Sequence, residues 1–299
     1  MDKLLAMNTF VRIVDCGSLT DAAKALGKSL PSVVRMLAAL ESNLGVRLLN
    51  RTTRRISLTE EGRHYLEQCQ RILADIEEAE NALSAEQSEP QGKLTVSAPA
   101  QFGQMHVSPL VTDFIERYEK ISVDLLLLDR VVNLVEEGVD VGIRIAHLDD
   151  STMIAKPVGH IRRVVCASPE LLKKTGPITH PKQLADHDCV RFTHITTGGQ
   201  WQFLENNKQI SVHVDGRYSS NQAAASIKAC AAGAGFGMFL SYMIEPHLKS
   251  GELQVILQEF ELPPVPVNVV YAHARLMSTR TRVFVDWMAK GLREVLEGE

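Results

Sequence analysis

Leu30, Val33, Leu37, Leu40 and Leu44 recur at spacings of 3, 4, 3 and 4, which lays one apolar stripe along an α-helix. The segment that carries them, "SLPSVVRMLAALESNLG", supplies its own boundaries. Ser29 suits an N-cap, Pro31 suits a first turn, and Gly45 suits a C-terminal stop. A shorter unit of the same kind, "SLTDAAKALG", lies just upstream, with Ser18 as cap and Gly27 as end. Ala22 and Ala23 within it leave room for another helix to cross closely. A helix over 2–15, apolar at Leu5, Phe10, Val11, Ile13 and Val14 and stopped at Gly17, precedes both. Stripes this short are stable only when packed together. The last two helices, joined by a tight turn, predict a helix-turn-helix. The stripe leaves Ser32, Val34, Arg35 and Met36 on the other faces of the longer helix.

The next segment, "VRLLNRTTRRISLT", reads as strand, basic turn, strand, with Leu48, Leu49, Ile56 and Leu58 apolar. Its tip carries Arg51, Thr52, Thr53, Arg54 and Arg55, and guanidinium and hydroxyl groups are the usual phosphate donors. Charge follows the same division. Residues 1–58 hold nine Lys and Arg against four Asp and Glu, a net of +5, while the rest of the chain holds 23 against 32, a net of −9. A basic module on an acidic body fits contact with a polyanion at one end.

Thr59 caps a long helix to about Ala85, in which Gly62, Cys69, Ile76 and Leu83 repeat every seven residues beside Tyr65, Ile72 and Ala79. That is a short coiled-coil seam and predicts a dimer. A polar stretch broken by Pro90 and Gly92 follows as a linker. After it the texture changes to alternating strands and helices, which argues for parallel α/β layers. The phrases are "KLTVSAP", "VSPLVTDFIERYEK", "ISVDLLLL", the short helix "VVNLVEEG", "VDVGIRI", "RRVVCAS", "PELLKKTG", "DCVRFTH", "NQAAASIKACAAGAGFGMFLSYMI", "VNVVYAH" and "STRTRVFVDWMAKGLREVL".

With 299 residues, 45% hydrophobic and 23% charged, the chain reads as a globular protein of two or three domains. No run of 18 apolar residues predicts a membrane span, and the opening residues lack a signal-peptide pattern, so a cytoplasmic location is expected. Five cysteines with no CxxC spacing argue against a disulfide framework or a structural zinc site. Without GxGxxG after a strand, GxSxG, a P-loop or HExxH, nothing marks an enzyme, and neither cofactor nor metal is expected.

The stretch from Phe10 to Gly62 closely resembles the N-terminal signature of LysR-type transcriptional regulators. The matching positions are Phe10, Gly17, Ser18, Ala22, Ala23, Leu26, Leu40, Glu41, Gly45, Leu48, Arg51, Leu58, Thr59 and Gly62. The later phrases "SAPAQFG", "VDVGIRI", "CASPELL", "LADHDCVRF" and "NQAAASIKACAAGAGFGMF" are similar to the CrgA-like branch of that family. The chain departs from the pattern at Val34, where a serine is usual, at Leu49, where phenylalanine is common, and at Glu119, where proline is expected. The resemblance implies a winged helix-turn-helix over 1–58, a dimerising helix and hinge over 59–92, and a two-lobed α/β effector domain over 93–299, of the type 2 periplasmic-binding-protein kind. The chain is then expected to cross between lobes near Cys166–Ser168 and again near Pro266–Val269. Lobe I is 93–166 with 269–299, and lobe II is 167–268.

The expected partners are double-stranded promoter DNA, a small anionic effector, further copies of the chain in a dimer of dimers, and RNA polymerase. On the DNA side the candidates are Ser29, Ser32, Val34, Arg35, Met36, Arg51, Thr52, Thr53 and Arg54. Arg35 suits a guanine edge or a phosphate, Ser29 suits a cap or a phosphate, and Val34 suits a thymine methyl. Arg55 suits a partner within the protein. In the effector cleft, "SAPAQFG" sets backbone N–H groups at a helix N-terminus, which favours an anion. Ser97, Pro99, Ala100, Gln101 and Phe102 are the candidates there. Arg144 suits a countercharge or an inter-lobe salt bridge. Thr193, Ser219 and Asn221 face them from lobe II, with the glycines of "AGAGFG" serving either the pocket or close helix packing. Cys189 and Cys230, with no nearby partner thiol in sequence, leave a thiol switch as a minor reading. A small-molecule-binding or catalytic α/β protein, and a DNA-binding protein with no effector, are the competing functions.

Overall fold

The computed structural model describes residues 2–51, 56–83, 89–148, 153–194, 198–272 and 277–297. The chain divides into two compact units, Met1–Glu89 and Pro90–Glu299.

In the first unit, α1 (Lys3–Cys16) begins where the Asp2 carboxylate accepts a hydrogen bond from the Leu5 amide at 3.1 Å and ends at a left-handed Gly17. α2 (Leu19–Ala25) begins under Ser18, whose hydroxyl accepts from the Asp21 amide at 3.3 Å. α3 (Leu30–Leu44) closes the trio. Phe10 and Ile13 of α1, Ala22 and Ala23 of α2, and Val33, Leu37 and Leu40 of α3 form one core. The stripe is shorter than its spacing implies. Leu30 is 41% exposed, because it stands in the first turn, before α3 meets the core at Val33.

Strands β1 (Leu49–Arg51) and β2 (Ile56–Leu58) pair antiparallel, with Leu49 opposite Leu58 and Arg51 opposite Ile56. α4 (Glu60–Leu83) starts under Thr59, whose hydroxyl accepts from the Gly62 amide at 2.9 Å. The expected seven-residue seam is divided along this helix. Gly62 and Cys69 are buried and Tyr65 packs on the unit's own core. Burial and the neighbouring Cys69 push the Tyr65 hydroxyl up to about 12. Only farther along does the stripe face outward, with Ile72 37% exposed.

In the second unit, β3 (Gly92–Ala98) leads into one helical run made of α5 (Ala100–Phe102), a π turn (Gly103–Val107) and α6 (Ser108–Arg117). Then come β4 (Ile121–Leu127), β5 (Val141–Ile145), β6 (Met153–Ile161), β7 (Arg163–Ala167), α7 (Pro169–Thr175) and β8 (Cys189–Phe192). A hairpin follows, β9 (Gln200–Glu205) with β10 (Lys208–His213), then β11 (Tyr218–Ser220), α8 (Ala223–Ala231), β12 (Phe236–Leu240), α9 (Ser241–Lys249), β13 (Gln254–Ile256), β14 (Val265–Ala272) and α10 (Thr279–Glu297). Two five-stranded sheets result, in the orders β4-β3-β5-β14-β6 and β11-β8-β12-β7-β13.

Both sheets are mixed rather than parallel. β14 runs antiparallel to β5 and β6, and β7 runs antiparallel to β12 and β13. The crossings also differ from expectation. β6 belongs to the first sheet and β7 to the second, so the chain changes sheets at Arg162, before Cys166. It returns before Val265, which pairs with Ile161. The double proline Pro263–Pro264 precedes that return and cannot donate to a ladder. The segment "VVNLVEEG" is an irregular turn instead of a helix. There the Asn133 side-chain oxygen accepts from the Val135 amide at 3.2 Å, a local bond that competes with helix formation.

Candidate functional sites

α3 turns Val33, Leu37 and Leu40 inward, which leaves Pro31, Arg35, Ala38 and Ser42 exposed. Arg35 lies back along its own helix, its Nε donating to the Pro31 carbonyl at 3.4 Å. Ser32 and Val34 flank it, half-buried. Met36 departs from expectation. It packs on the core, and its sulfur takes the Thr9 hydroxyl at 3.8 Å. It therefore faces α1 and leaves the outer face to the others. Ser29 occupies the N-cap position with an extended backbone, yet its side chain makes no cap hydrogen bond. Capping therefore does not account for this serine. Arg51 ends β1, and Thr52, Thr53, Arg54 and Arg55 lie outside the described residues.

In the second unit, Ser97 and Arg144 come together at the C-terminal ends of the neighbouring parallel strands β3 and β5. Arg144 Nη1 donates to Ser97 Oγ and to the Ile143 carbonyl, each at 3.2 Å, and Nη2 donates to the Val132 carbonyl at 3.2 Å. Ser97 is 1% exposed. Burial lowers the Arg144 pKa, with the Glu137 charge opposing the shift. The irregular turn that presents Val132 is held by Arg130 and Glu137, Nη1 to Oε1 at 2.7 Å, a bond that also holds the Glu137 carboxyl below its usual range. Arg144 is thus tied within lobe I to neutral acceptors, and the salt-bridge reading is replaced by these bonds.

Pro99, Ala100 and Gln101 are half-buried at the start of the helical run. The expected anion seat is partly filled by the protein itself, since the Asp129 carboxylate accepts from the Ala100 amide at 2.9 Å. Gln101 reaches lobe II, donating to the Met243 carbonyl at 3.4 Å. Phe102 is a core residue. It is fully buried and packs edge-on against Tyr242 at 5.2 Å and beside His106 at 4.9 Å. Thr193, Ser219 and Asn221 are exposed and lie together where the parallel strands β8 and β11 end, with the Thr193 amide donating to the Ser220 carbonyl at 3.0 Å. Of the glycines of "AGAGFG", Gly233 takes a positive φ after α8, and Gly235 and Gly237 serve packing, of strands instead of helices. A Cβ at Gly235 would collide with the Asp188 carbonyl, and one at Gly237 would enter the Phe239 ring.

Three features were not visible in the sequence. Asp129 and the Val132 carbonyl carry no motif. Cys166 stands against Cys230, with the two sulfurs 4.0 Å apart and both fully buried. Cys230 therefore has a thiol neighbour after all, from a strand 64 residues away in sequence. The hydrogen bond with Cys230 and burial raise the Cys166 pKa, and burial pushes Cys189 up to about 12. Thiols so disposed are poor nucleophiles. Among the described residues no group of three or more His, Cys, Asp or Glu side chains can hold a metal ion, and no helix is long and apolar enough to cross a membrane.

Comparison with known proteins agrees with this division of the chain. Residues 4–63 match the bacterial regulatory helix-turn-helix model of the LysR family, and residues 87–293 match the LysR substrate-binding domain. The chain belongs to the LysR family of transcriptional regulators. It is 35% identical to the transcriptional regulator CrgA of Neisseria meningitidis serogroup C over 98% of each chain. It is also 35% identical to a transcriptional repressor of Pseudomonas aeruginosa, over 96% of this chain and 92% of that one. The solved structure of CrgA superposes with a TM-score of 0.61 at 32% identity, covering 96% of this chain and 98% of that one. Full-length AphB, a virulence activator of Vibrio cholerae, gives 0.61 at 25% identity, with 96% and 99% covered. This LysR-type protein is accordingly a DNA-binding transcriptional regulator with an effector-binding domain, and not an enzyme.

Proposed function

We propose that this regulator changes its promoter binding when a small anionic effector enters the cleft between the two lobes. The observation that supports the reading is Arg144. Its guanidinium is half-buried and oriented by Ser97 and two carbonyls, and no carboxylate is among these acceptors. A guanidinium held in this way is suited to a bidentate carboxylate or phosphate. Thr193, Ser219 and Asn221 supply polar groups from lobe II, and Pro99, Ala100 and Gln101 line the lobe I side. On the DNA, Arg35, Ser32, Val34 and Ser29 meet the groove from α3, and Arg51 with Thr52, Thr53 and Arg54 grips the backbone from the wing. The part of α4 that carries the exposed Ile72 pairs with a second copy, and two such dimers form the tetramer. The assembly works in the cytoplasm, on promoters and beside RNA polymerase.

A thermal-shift screen of small carboxylates and phosphates tests the effector. An anion at 100 times its Kd stabilises the folded chain by about 2.7 kcal/mol, and Arg144→Met is expected to abolish that shift. An equal shift in Arg144→Met places the anion elsewhere. A wild-type chain that responds to no anion in the screen removes the reading. For the DNA side, a titration at several salt concentrations is expected to show preference for promoter over random duplex.

A further inference from the structure

The peptide of Leu48 is gripped from two sides. Glu41, on the recognition helix α3, accepts through one carboxylate oxygen from the Leu48 amide at 2.9 Å and the Leu49 amide at 3.3 Å. On the opposite side, the Leu48 carbonyl accepts from the Thr59 amide at 3.0 Å. The Thr59 hydroxyl is shared between the Arg47 carbonyl at 2.7 Å and the Leu48 carbonyl at 3.2 Å. The same hydroxyl accepts from the Gly62 amide, and Gly62 is glycine because a Cβ there would collide with the Leu48 carbonyl. The recognition helix, the first wing strand and the start of α4 therefore meet at one peptide. Leu48 and Leu49 are 0% and 2% exposed, so water cannot readily replace an acceptor lost from their amides. A carboxylate acceptor makes bonds roughly twice as strong as a neutral one.

We propose that Glu41 is a positioning residue for DNA recognition. Its carboxylate holds the wing to α3, so that helix and wing meet the duplex as one rigid unit. Through Thr59 the same peptide follows the orientation of α4. This role predicts an effect of unusual sign. Glu41 is an acid in a basic module that binds a polyanion, so deleting its charge alone should tighten DNA binding. Loss of the clamp should weaken it, because the wing then no longer reaches its phosphates in register with α3.

The experiment is a salt titration by fluorescence anisotropy of the full-length chain. The probes are a labelled random-sequence duplex and the duplex that the wild type selects from a random pool. Glu41→Ala and Glu41→Gln both remove the charge, but only the glutamine keeps an acceptor oxygen. Glu41→Ala is expected to bind both duplexes at least about tenfold more weakly, with a log K against log salt slope shallower by about 1 to 2. Glu41→Gln is expected to lie nearer the wild type. Glu60→Gln, an exposed acid with no clamp, is expected to bind at least as tightly as the wild type. Where circular dichroism shows Glu41→Ala to be unfolded, Glu41→Met replaces it, having similar length, good helix propensity and no acceptor. Equal behaviour of the two charge-deleting variants, or wild-type affinity and slope in the variant that lacks an acceptor, overturns the proposal.

Discussion

The two units hold their key arginines in opposite ways. Arg35 stands exposed on the outer face of α3, its Nε in a long bond to the Pro31 carbonyl. Arg144 is half-buried and held by three bonds to neutral oxygens. On the proposed function, the difference follows from the ligand each would meet. A duplex brings its own high charge density and covers a whole face, so an arginine that reads it can stay solvated until contact. A small effector offers one or two charges, so its partner must be desolvated and oriented beforehand, where each bond counts for more. Neutral partners orient the guanidinium without neutralising it, which a carboxylate partner would do.

The largest expected effect is that of Phe102→Ala. As a core residue it should lower the stability of the second unit by about 3–5 kcal/mol, read in a urea melt. An effector contact would instead lose ligand affinity at unchanged stability. Gly62→Ala should destabilise the first unit by about 1–3 kcal/mol, because the Leu48 carbonyl cannot move aside without shifting the wing. Hydrogen exchange should locate that loss at the α4 start and β1. Val34→Ser adds a hydroxyl beside Arg35 on α3, and on the proposed function a selection from random duplexes should return a changed preferred site at nearly unchanged stability. The smallest effect is one of pH. Burial lowers the His106 pKa, with the Glu245 charge opposing. The unfolded chain then binds the proton that the folded chain resists. Stability of the second unit should decline as pH falls below the ordinary histidine value of about 6.5 and level off below the depressed folded value. His106→Asn should flatten that slope in melts taken between about pH 7 and 5.

How much was legible in the sequence differs between the units for the same physical reason. In the first unit, caps, glycine stops and a helical stripe are local signals. Helix ends at Gly17 and Gly45, the Ser18 and Thr59 caps and the wing strands follow from neighbours in sequence. What escaped was non-local. Leu30 has the right spacing but no core beneath it, Met36 turns toward Thr9 of another helix, and Glu41 reaches seven residues ahead to Leu48. In the second unit "MIAKPVGHI" of β6, which contains a proline and a glycine, and "QVI" of β13 were not legible as strands, while β3, β4, β5, β7, β8 and β14 were legible one by one. Their pairing was not. The passage from β6 into β7 runs through "IRR" with no turn residue, so nothing local marks the change of sheet. Ser97 with Arg144 was readable as two strand ends. The Asp129 bond to Ala100 and the approach of Cys166 to Cys230 depend on which strands lie side by side.

On the proposed function, the exposed face of α3 reads bases while the half-buried Arg144 guanidinium of the second unit senses the effector. The most direct test is the affinity ratio of Arg35→Ala for the selected duplex over a random duplex, measured at one fixed salt concentration without effector. A bidentate contact to a base edge predicts that this ratio falls by the equivalent of about 1–3 kcal/mol, with base preference relaxed at one position of the site. Equal losses on both duplexes, leaving the ratio unchanged, would make Arg35 a phosphate contact and contradict the assignment of reading to this face.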